Sequence, residues 1–307
     1  MTETQDSYDV IVVGGSFAGL AAAMQLGRAR RSVLVVDAGQ PRNRFAHAAH
    51  GFPGQDGRPP AELRATFRAE LAAYPTVHFH EGLATDARAR SHGTFEVELS
   101  PGSTHTPRAR LLILAIGVAD ELPNIPGLAE RWGRTVLHCP YCHGYEVADG
   151  RLGVLATSEL AMHQALLLPD WSADVTLFTN GAFSPDAEQR SALSARGVRV
   201  DERPVEAVVG QLPQFDGIRL RDGEVVPLDA LFVASRTRLA SPIAERLGCA
   251  MEEGPQGTMV RTDATKETSV KGVFCAGDAA RAPHTIAFAV ADGAMAGIAA
   301  HRSLVME

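Results

Sequence analysis

The sequence has few cysteines, no excess of positive charge and no long apolar run. Its 29 Lys and Arg against 36 Asp and Glu give a net charge of −7, which offers no attraction to nucleic acid or to an anionic membrane. The apolar stretch 111–119 is far shorter than the roughly 20 residues that cross a bilayer. The polar, acidic N-terminal residues lack the features of a secretory signal. We therefore expect a soluble, cytoplasmic protein without a nucleic-acid or membrane partner.

The four cysteines are too few for a structural disulfide framework in a reducing compartment. Cys249 and Cys275 are isolated, and we expect both to be buried, unreactive thiols. Cys139 and Cys142 lie together in the segment HCPYCHGYE, residues 138–146. These letters match a glutaredoxin active site, half of a zinc site and the CxxCH sequence of covalent haem attachment, as well as a redox disulfide. The surrounding sequence has to discriminate among them.

The chain is long enough for two domains, and it contains two β-turn-α-β patterns. The first has apolar runs at 8–13 and 32–36 on either side of a Gly-rich turn and a helix-forming segment. The second has apolar runs at 152–155 and 174–178, again with a helix-forming segment between them. This order predicts an α/β protein with two Rossmann-like dinucleotide-binding units.

The C-terminal part returns to the pattern of the first unit. An apolar run is followed by GVFCAGD and then by an alanine-rich helix predicted over 285–301. We therefore predict a first domain made of two separated pieces, residues 1–117 and 246–307. Residues 118–245 form the inserted second domain, which carries the cysteine pair.

The Gly-rich turn GGSFAG predicts a nucleotide site. Compared with the pattern GxGxxG, the middle glycine is replaced by a small serine, which preserves most of the close approach of backbone to pyrophosphate. Asp37 lies eighteen residues after the last glycine, where an acidic residue binds a ribose hydroxyl. The residues predicted to contact the nucleotide in this turn are Gly14, Ser16, Phe17, Ala18 and Gly19.

A second part of the cofactor site is predicted near the C-terminus. Asp278 follows Gly277 at the end of a short apolar strand, where ligands bind in open α/β sheets; it can also cap the next helix. Ala115 and Gly117 stand at the end of an earlier strand. Together these features resemble the FAD-binding domain of flavoproteins with two dinucleotide-binding domains.

The order of motifs resembles low-molecular-weight thioredoxin reductases over nearly the whole chain: GxSxxG, LILAIG, CxxC, a second Rossmann-like unit and GVFCAGD. The resemblance implies bound FAD, a homodimer, and a cysteine pair that exchanges electrons with a dithiol or disulfide, either a small molecule or a thioredoxin-like protein. HGFPG at 50–54 matches the flavin-facing turn of that family. The implied FAD contacts are Asp278 at the ribityl hydroxyls, Ala84 and Ala115 along the adenosine side, and His284, Thr285 and Ile286 near the isoalloxazine ring.

The second unit departs from that family. Where a GxGxxA turn and an arginine cluster would bind NADPH, the chain has AxSxxA at 156–161 and TNG at 179–181. A Cβ crowds the tight turn, and no charged side chain follows the next strand. We therefore expect no use of NADPH. Such losses resemble the dithiol oxidases of gliotoxin and holomycin biosynthesis and also the ferredoxin-dependent flavin thioredoxin reductases.

For the cysteine pair, the redox disulfide is favoured. Haem attachment requires export, a glutaredoxin helix would not meet Gly144, and His138 and His143 adjoin the cysteines too closely to complete a zinc tetrahedron; we predict no metal. By resemblance, Cys142 faces the flavin and Cys139 meets the substrate. His143 takes the place of the family's acid/base aspartate. Tyr145 and Glu146 are expected only to pack or cap.

The leading hypothesis is an FAD-dependent thiol-disulfide oxidoreductase that works without NADPH, as a dithiol oxidase with oxygen or a protein carrier as acceptor. The rival in the same class is a thioredoxin-disulfide reductase driven by NADPH or ferredoxin. A rival of another class is a non-catalytic flavoprotein that senses redox state.

Overall fold

The computed structural model describes residues 6–100 and 105–306 of the 307-residue chain. The chain divides into two compact units: unit 1 comprises Met1–Arg44, Pro60–Ala119 and Thr237–Glu307, and unit 2 comprises Phe45–Pro59 and Asp120–Arg236. The last piece of unit 1 thus begins before the predicted residue 246. The reason is that Ile243 and Ala244 are buried in the core of that unit. Residues 45–59 were not expected in the second unit.

Unit 1 is built around a seven-stranded mixed sheet. Its order is β3-β2-β1-β6-β5-β4, and β19 pairs with β6. The pairs among β1, β2, β3, β6 and β19 are parallel, and β4 and β5 are antiparallel to their neighbours. The strands are β1 (Ser7–Val13), β2 (Val33–Asp37), β3 (Val77–Glu81), β4 (Ala84–Ala89), β5 (Phe95–Leu99), β6 (Arg108–Leu114) and β19 (Val273–Cys275).

The central strands of this sheet are nearly continuous apolar runs because both of their faces are covered. Val10 and Ile11, neighbours on β1, are both fully buried, and they belong to the two core clusters on opposite faces. Shorter elements complete the strands: β7 (Val118–Glu121) pairs with β16 (Arg236–Leu239), and β17 (Met251–Gly254) pairs with β18 (Gly257–Val260).

Two long helices of unit 1 pack unusually closely. Gly293 and Gly297 on the C-terminal helix face Ala18 and Ala22 on the first helix. A Cβ on Gly293 would lie 2.0 Å from the Ala18 carbonyl oxygen, and one on Gly297 would lie 2.6 Å from that of Ala22. Glycine is therefore required for this approach. The helices of unit 1 are α1 (Phe17–Arg28), α2 (Pro60–Leu71), α6 (Ile243–Arg246) and α7 (Ile286–Met306).

Unit 2 has a five-stranded parallel sheet of order β11-β10-β9-β15-β8 and a three-stranded antiparallel sheet, β12-β13-β14. Its strands are β8 (Val136–Leu137), β9 (Leu152–Leu155), β10 (Val175–Phe178), β11 (Arg199–Asp201), β12 (Val205–Val209), β13 (Gly217–Leu220), β14 (Val225–Pro227) and β15 (Ala230–Val233). Its helices are α3 (Pro140–His143), α4 (Ala161–Leu167) and α5 (Ala187–Ala195). The predicted α/β fold with two Rossmann-like cores is confirmed.

No helix in the described part of the chain is both long and apolar enough to span a membrane.

Candidate functional site

The cysteine pair forms a disulfide in unit 2. Cys139 and Cys142 are bonded, with their Cα atoms 5.2 Å apart, and both residues are partly exposed. Pro140 occupies the first position of the one-turn α3, where its missing N–H costs no hydrogen bond. At Gly144, which follows α3, a Cβ would lie 2.6 Å from the Pro140 carbonyl oxygen and 2.9 Å from the Trp171 ring. The pair is thus held in a compact, partly exposed turn.

Histidines flank the pair on both sides. Burial lowers the pKa of His143, and nearby Glu146 partly opposes this while His50 adds to it. An imidazole with a lowered pKa is neutral at physiological pH and is able to accept a proton. His138 has a more structural setting: its Nδ1 lies 3.4 Å from the Val233 carbonyl oxygen. His143 therefore has the neutral imidazole that acid/base chemistry requires.

A cavity of about 290 Å³ opens beside Tyr141, the residue in the middle of the CPYC turn, and it is lined also by His50, Asp56, Tyr145 and Glu146. The His50 ring bridges the two carboxylates: Nδ1 lies 3.3 Å from Asp56 Oδ2, and Nε2 lies 3.3 Å from Glu146 Oε1. Sequence reasoning missed this cluster. Glu146 was predicted only to pack or cap, and the HGFPG segment was predicted to be a flavin-facing turn. No periodicity or motif links residues so distant along the chain, so their contact could not be predicted.

In unit 1, the Gly-rich turn closes onto the end of β6. Gly14 has φ +108°, and a Cβ there would lie 2.2 Å from the Ala115 carbonyl oxygen. A Cβ on Gly19 would lie 1.8 Å from the carbonyl oxygen of Gly14. Both positions therefore require glycine, and the structure brings the predicted residues Gly14, Gly19 and Ala115 into contact.

The N-terminus of α1 has no side-chain cap. Ser16 is the N-cap residue, yet its side chain makes no capping hydrogen bond, and the first turn contains no acidic residue. Phe17 and Ala18, the first two residues of the helix, are buried. The N–H groups and the dipole at such a helix end favour an anion.

The C-terminal motif, which contains Gly277 and Asp278, lies beside the first turn of α1. A Cβ on Gly277 would lie 2.9 Å from that of Ala18, so the two predicted parts of the cofactor site meet. Asp278 Oδ2 lies 3.8 Å from Arg42 Nη1, which in turn donates to His284 Nδ1 at 2.7 Å. Since arginine is always protonated, Nδ1 of His284 is the acceptor, and its ring proton is on Nε2. Arg42 thus contacts two of the predicted cofactor residues, and the sequence analysis did not single it out, although a basic residue soon after Asp37 was a usable signal.

The remaining predicted cofactor residues lie at the ends of neighbouring elements. Asp37 ends β2, and its carbonyl oxygen accepts from Gly82 N–H at 2.9 Å, just before β4 begins at Ala84. Gly117, with φ +64°, follows β6. Thr285 Oγ1 accepts from the Phe288 N–H at 3.1 Å at the start of α7, which begins at Ile286.

This arrangement fits FAD. A pyrophosphate needs a helix N-terminus and a turn without a Cβ. The N-terminus of α1 meets the first need, and Gly14 meets the second. The carboxylate of Asp278 is suited to sugar hydroxyls, and Arg42 and His284 add donors beside it.

The corresponding turn of unit 2 is closed by its own side chains. The Leu160 N–H faces Ser158 Oγ at 3.3 Å, and Thr157 Oγ1 donates to the Ala234 carbonyl oxygen at 2.6 Å. Glu159 adds a carboxylate, which accepts from the Gln189 side chain. α4, which follows, is only seven residues long. The turn therefore carries a negative charge at Glu159, and its N–H groups at Ala156, Leu160 and Ala161 already have partners.

The end of β10 also lacks a cation for a 2′-phosphate. Asn180, with φ +50°, uses its Oδ1 to accept from the Val205 N–H at 2.8 Å. Arg203, which follows the neighbouring β11, is paired with Asp201 at 2.6 Å and also with Asp222 and Glu224, and these hydrogen bonds raise its pKa further. The Arg203 guanidinium thus stays protonated and is already paired with three carboxylates.

Comparison with known proteins agrees with the site. The family profile described as pyridine nucleotide-disulphide oxidoreductase matches residues 8–293. A curated relative, thioredoxin reductase tcpT of Claviceps purpurea, is 36% identical, with 99% of this chain and 96% of that protein covered.

Solved structures are similar throughout. An oxidoreductase from Agrobacterium tumefaciens is 51% identical with a TM-score of 0.92, covering 98% of this chain and 99% of that one. The structure of HlmI is 38% identical, also with a TM-score of 0.92, covering 99% of this chain and 94% of that one. The predicted resemblance is confirmed. The chain belongs to the pyridine nucleotide-disulphide oxidoreductase family, and it is an FAD-dependent disulfide oxidoreductase of the thioredoxin reductase-like type.

Proposed function

We propose that the enzyme is a dithiol oxidase that does not use NADPH. Electrons enter from a substrate dithiol at the Cys139–Cys142 disulfide and leave to oxygen or to a protein carrier. The observation that supports this most is the turn 156–161 of unit 2, which carries the Glu159 carboxylate and in which Ser158 Oγ already accepts from the Leu160 N–H. A bound pyrophosphate there would face a carboxylate and would have to displace Ser158 Oγ from the Leu160 N–H.

Within this proposal, unit 1 binds FAD and unit 2 is a degenerate nicotinamide-type domain that carries the disulfide. The predicted cofactor residues of the Gly-rich turn, together with Asp278 and the 284–286 segment, hold the cofactor. We add Arg42 to them, because it contacts His284 and lies beside Asp278. When bound, FAD supplies a two-electron acceptor that returns the cysteine pair to the disulfide.

The disulfide exchange balances as follows. One substrate thiolate attacks Cys139 Sγ, the Cys139–Cys142 bond breaks, and Cys142 leaves as a thiolate. The second substrate thiolate attacks the substrate sulfur of the mixed disulfide, which closes the substrate disulfide and releases Cys139. Two electrons pass from the substrate to the cysteine pair, and two protons leave the substrate thiols.

His143 is proposed as the base for this exchange. It is adjacent to Cys142, and its lowered pKa keeps the imidazole neutral and ready to accept a thiol proton near pH 7. Because thiolate and not thiol is the nucleophile, such a base raises the rate at neutral pH.

We further propose a cytoplasmic homodimer whose substrate is a small-molecule dithiol or a thioredoxin-like protein. The reducing cytoplasm suits a cysteine pair that cycles between dithiol and disulfide. Size-exclusion chromatography with light scattering tests the dimer: a single species at the monomer mass across micromolar concentrations would contradict it.

An anaerobic titration of the flavin-loaded protein tests the proposal. Dithiothreitol should bleach the flavin absorbance in wild type and should fail to do so in Cys142→Ser. NADPH at comparable concentration should leave the flavin oxidised. Bleaching by NADPH at micromolar concentration would overturn the proposal and favour the NADPH-driven reductase, which the name of the Claviceps relative supports.

Turnover in air separates the enzyme from a redox sensor. With dithiothreitol as substrate, wild type should produce peroxide continuously, and Cys142→Ser should lose this production. A protein that is reduced once and then stays reduced in air would not be an oxygen-dependent oxidase. Adding reduced ferredoxin under nitrogen tests the ferredoxin-driven alternative, in which the electrons would flow toward the disulfide.

A further inference from the structure

We propose that His50, held between Asp56 and Glu146, passes the protons released in dithiol oxidation from the side of His143 to solvent. This inference rests on the proposed function, because that function requires thiol protons to leave the disulfide site. It assigns a role to residues 49–58, none of which takes part in the disulfide exchange described above.

The loop that carries His50 is closed and well defined. The Ala49 N–H donates to the Arg58 carbonyl oxygen at 2.8 Å, and the Gly57 N–H donates to the Ala49 carbonyl oxygen at 2.9 Å. Within the loop, the Gly51 N–H donates to Asp56 Oδ1 at 2.8 Å. These bonds fix Asp56 against one side of the His50 ring.

Both ring nitrogens of His50 face a carboxylate oxygen at 3.3 Å. A neutral imidazole has only one N–H, so it can donate to only one of them. Its other ring nitrogen is then an acceptor, able to take a proton from a carboxyl group that carries one. A proton arriving at Glu146 can therefore pass to Nε2 while the Nδ1 proton passes to Asp56, and the ring returns to a neutral state.

The two ends of this path suit entry and exit. His143 follows Cys142 directly and interacts electrostatically with both Glu146 and His50. Asp56 has a 63% exposed side chain, and the Gly51 N–H and His50 lower its pKa, so it is ionised and open to water. The titratable groups around His50 are Asp56 on its own loop, His143 and Glu146 on the cysteine segment, and Tyr141 and Tyr145 across the shared cavity.

Each oxidised dithiol gives up two electrons and two protons. The two electrons end on the sulfurs of Cys139 and Cys142, which become thiolates as their bond breaks, and a thiol proton moves to His143. The path through Glu146, His50 and Asp56 restores His143 to its neutral form before the second thiol reacts.

The test compares His50→Gln and Glu146→Gln with His47→Gln, an exposed histidine on the same segment. Under anaerobic conditions, the flavin-loaded variants are mixed with dithiothreitol, quenched with an alkylating agent and analysed by mass spectrometry for reduced Cys139 and Cys142. This reads disulfide reduction directly across pH. We expect a loss of about tenfold for His50→Gln and Glu146→Gln near pH 7, smaller than the roughly 10²–10⁴-fold of the base that takes the proton from the reacting thiol. His47→Gln should match wild type.

Imidazole rescue identifies proton transfer as the cause. His50→Ala should regain rate when imidazole is added, in proportion to the neutral form, and its loss should shrink as pH rises and thiolate forms without a base. A pH-independent loss that imidazole does not restore would assign His50 a purely structural role and overturn the inference, as would a wild-type rate in His50→Gln. These outcomes are independent of the NADPH titration, because the readout is the cysteine pair reduced by dithiothreitol.

Discussion

Substituting Gly293 with alanine should destabilise unit 1, although alanine is the better helix former. The two terms have opposite signs. Replacing glycine by alanine inside a helix gains about 1 kcal/mol from propensity. At this site, however, the new Cβ would lie 2.0 Å from the Ala18 carbonyl oxygen and 2.9 Å from its Cα. The obstacle is backbone and cannot rotate away, so α7 and α1 must separate by more than an ångström.

Overpacking of this kind costs about 1–3 kcal/mol, and a backbone clash belongs at or above the upper end of that range. After the propensity gain, we expect Gly293→Ala to lower the free energy of unfolding by about 2 kcal/mol. That corresponds to a fall in melting temperature of about 4–8 °C for a unit of this size. Gly297→Ala, with its Cβ 2.6 Å from the Ala22 carbonyl oxygen, should lose less.

The assay is thermal unfolding followed by circular dichroism, with flavin content measured after gel filtration. Because Ala18 lies in the first turn of α1, Gly293→Ala should also retain less FAD. Ala291→Gly, on the exposed side of the same helix, measures the difference in helix propensity between alanine and glycine within α7. It should lower the free energy of unfolding by about 1 kcal/mol. A Gly293→Ala protein as stable as wild type, or more stable, would refute the reasoning, since propensity alone would then decide the outcome.

Further predictions concern thiols, titration and a strained turn. Cys249 and Cys275 should resist alkylation in the native protein, because burial raises the pKa of both thiols; mass spectrometry should find them labelled only after unfolding. The pKa of His143 lies below the ordinary 6.5, so the unfolded chain binds the proton first and stability falls as pH drops through that value. The urea midpoint of His143→Gln should therefore change less than that of wild type between about pH 8 and about pH 5.5, and equal changes would contradict this. Asn180→Ala should lose about 1–2 kcal/mol of stability in urea unfolding, because it removes the acceptor of the Val205 N–H and leaves alanine at φ +50°.

Periodicity predicted the strands well where both faces are buried. The run at 152–155 coincides with β9, and the run at 8–13 differs from β1 by one residue. Both strands are dense in β-branched or large apolar residues, and glycine-rich or polar turns stop them. The last helix was predicted to end at residue 301, but α7 continues to Met306, because no proline or glycine stops it there.

The cofactor turn could be predicted because its chemistry is local. Gly14, Gly19 and Asp37 belong to one β-turn-α-β unit, and each residue type has a steric or hydrogen-bonding reason at its position. The contacts of Arg42 with His284 and of His50 with Glu146 could not be predicted in this way. They join side chains whose proximity depends on tertiary packing, which leaves no period or spacing in the sequence.

The second unit was predicted to be one continuous insertion, whereas residues 45–59 also belong to it. The chain therefore passes between the units four times instead of twice. Excising 120–236 as a single fragment would retain the disulfide but would discard His50 and Asp56, which line the adjacent cavity. Recombination that exchanged only the longer piece between relatives would combine one protein's cysteines with another's cavity wall. The two pieces are therefore expected to be inherited, or engineered, together.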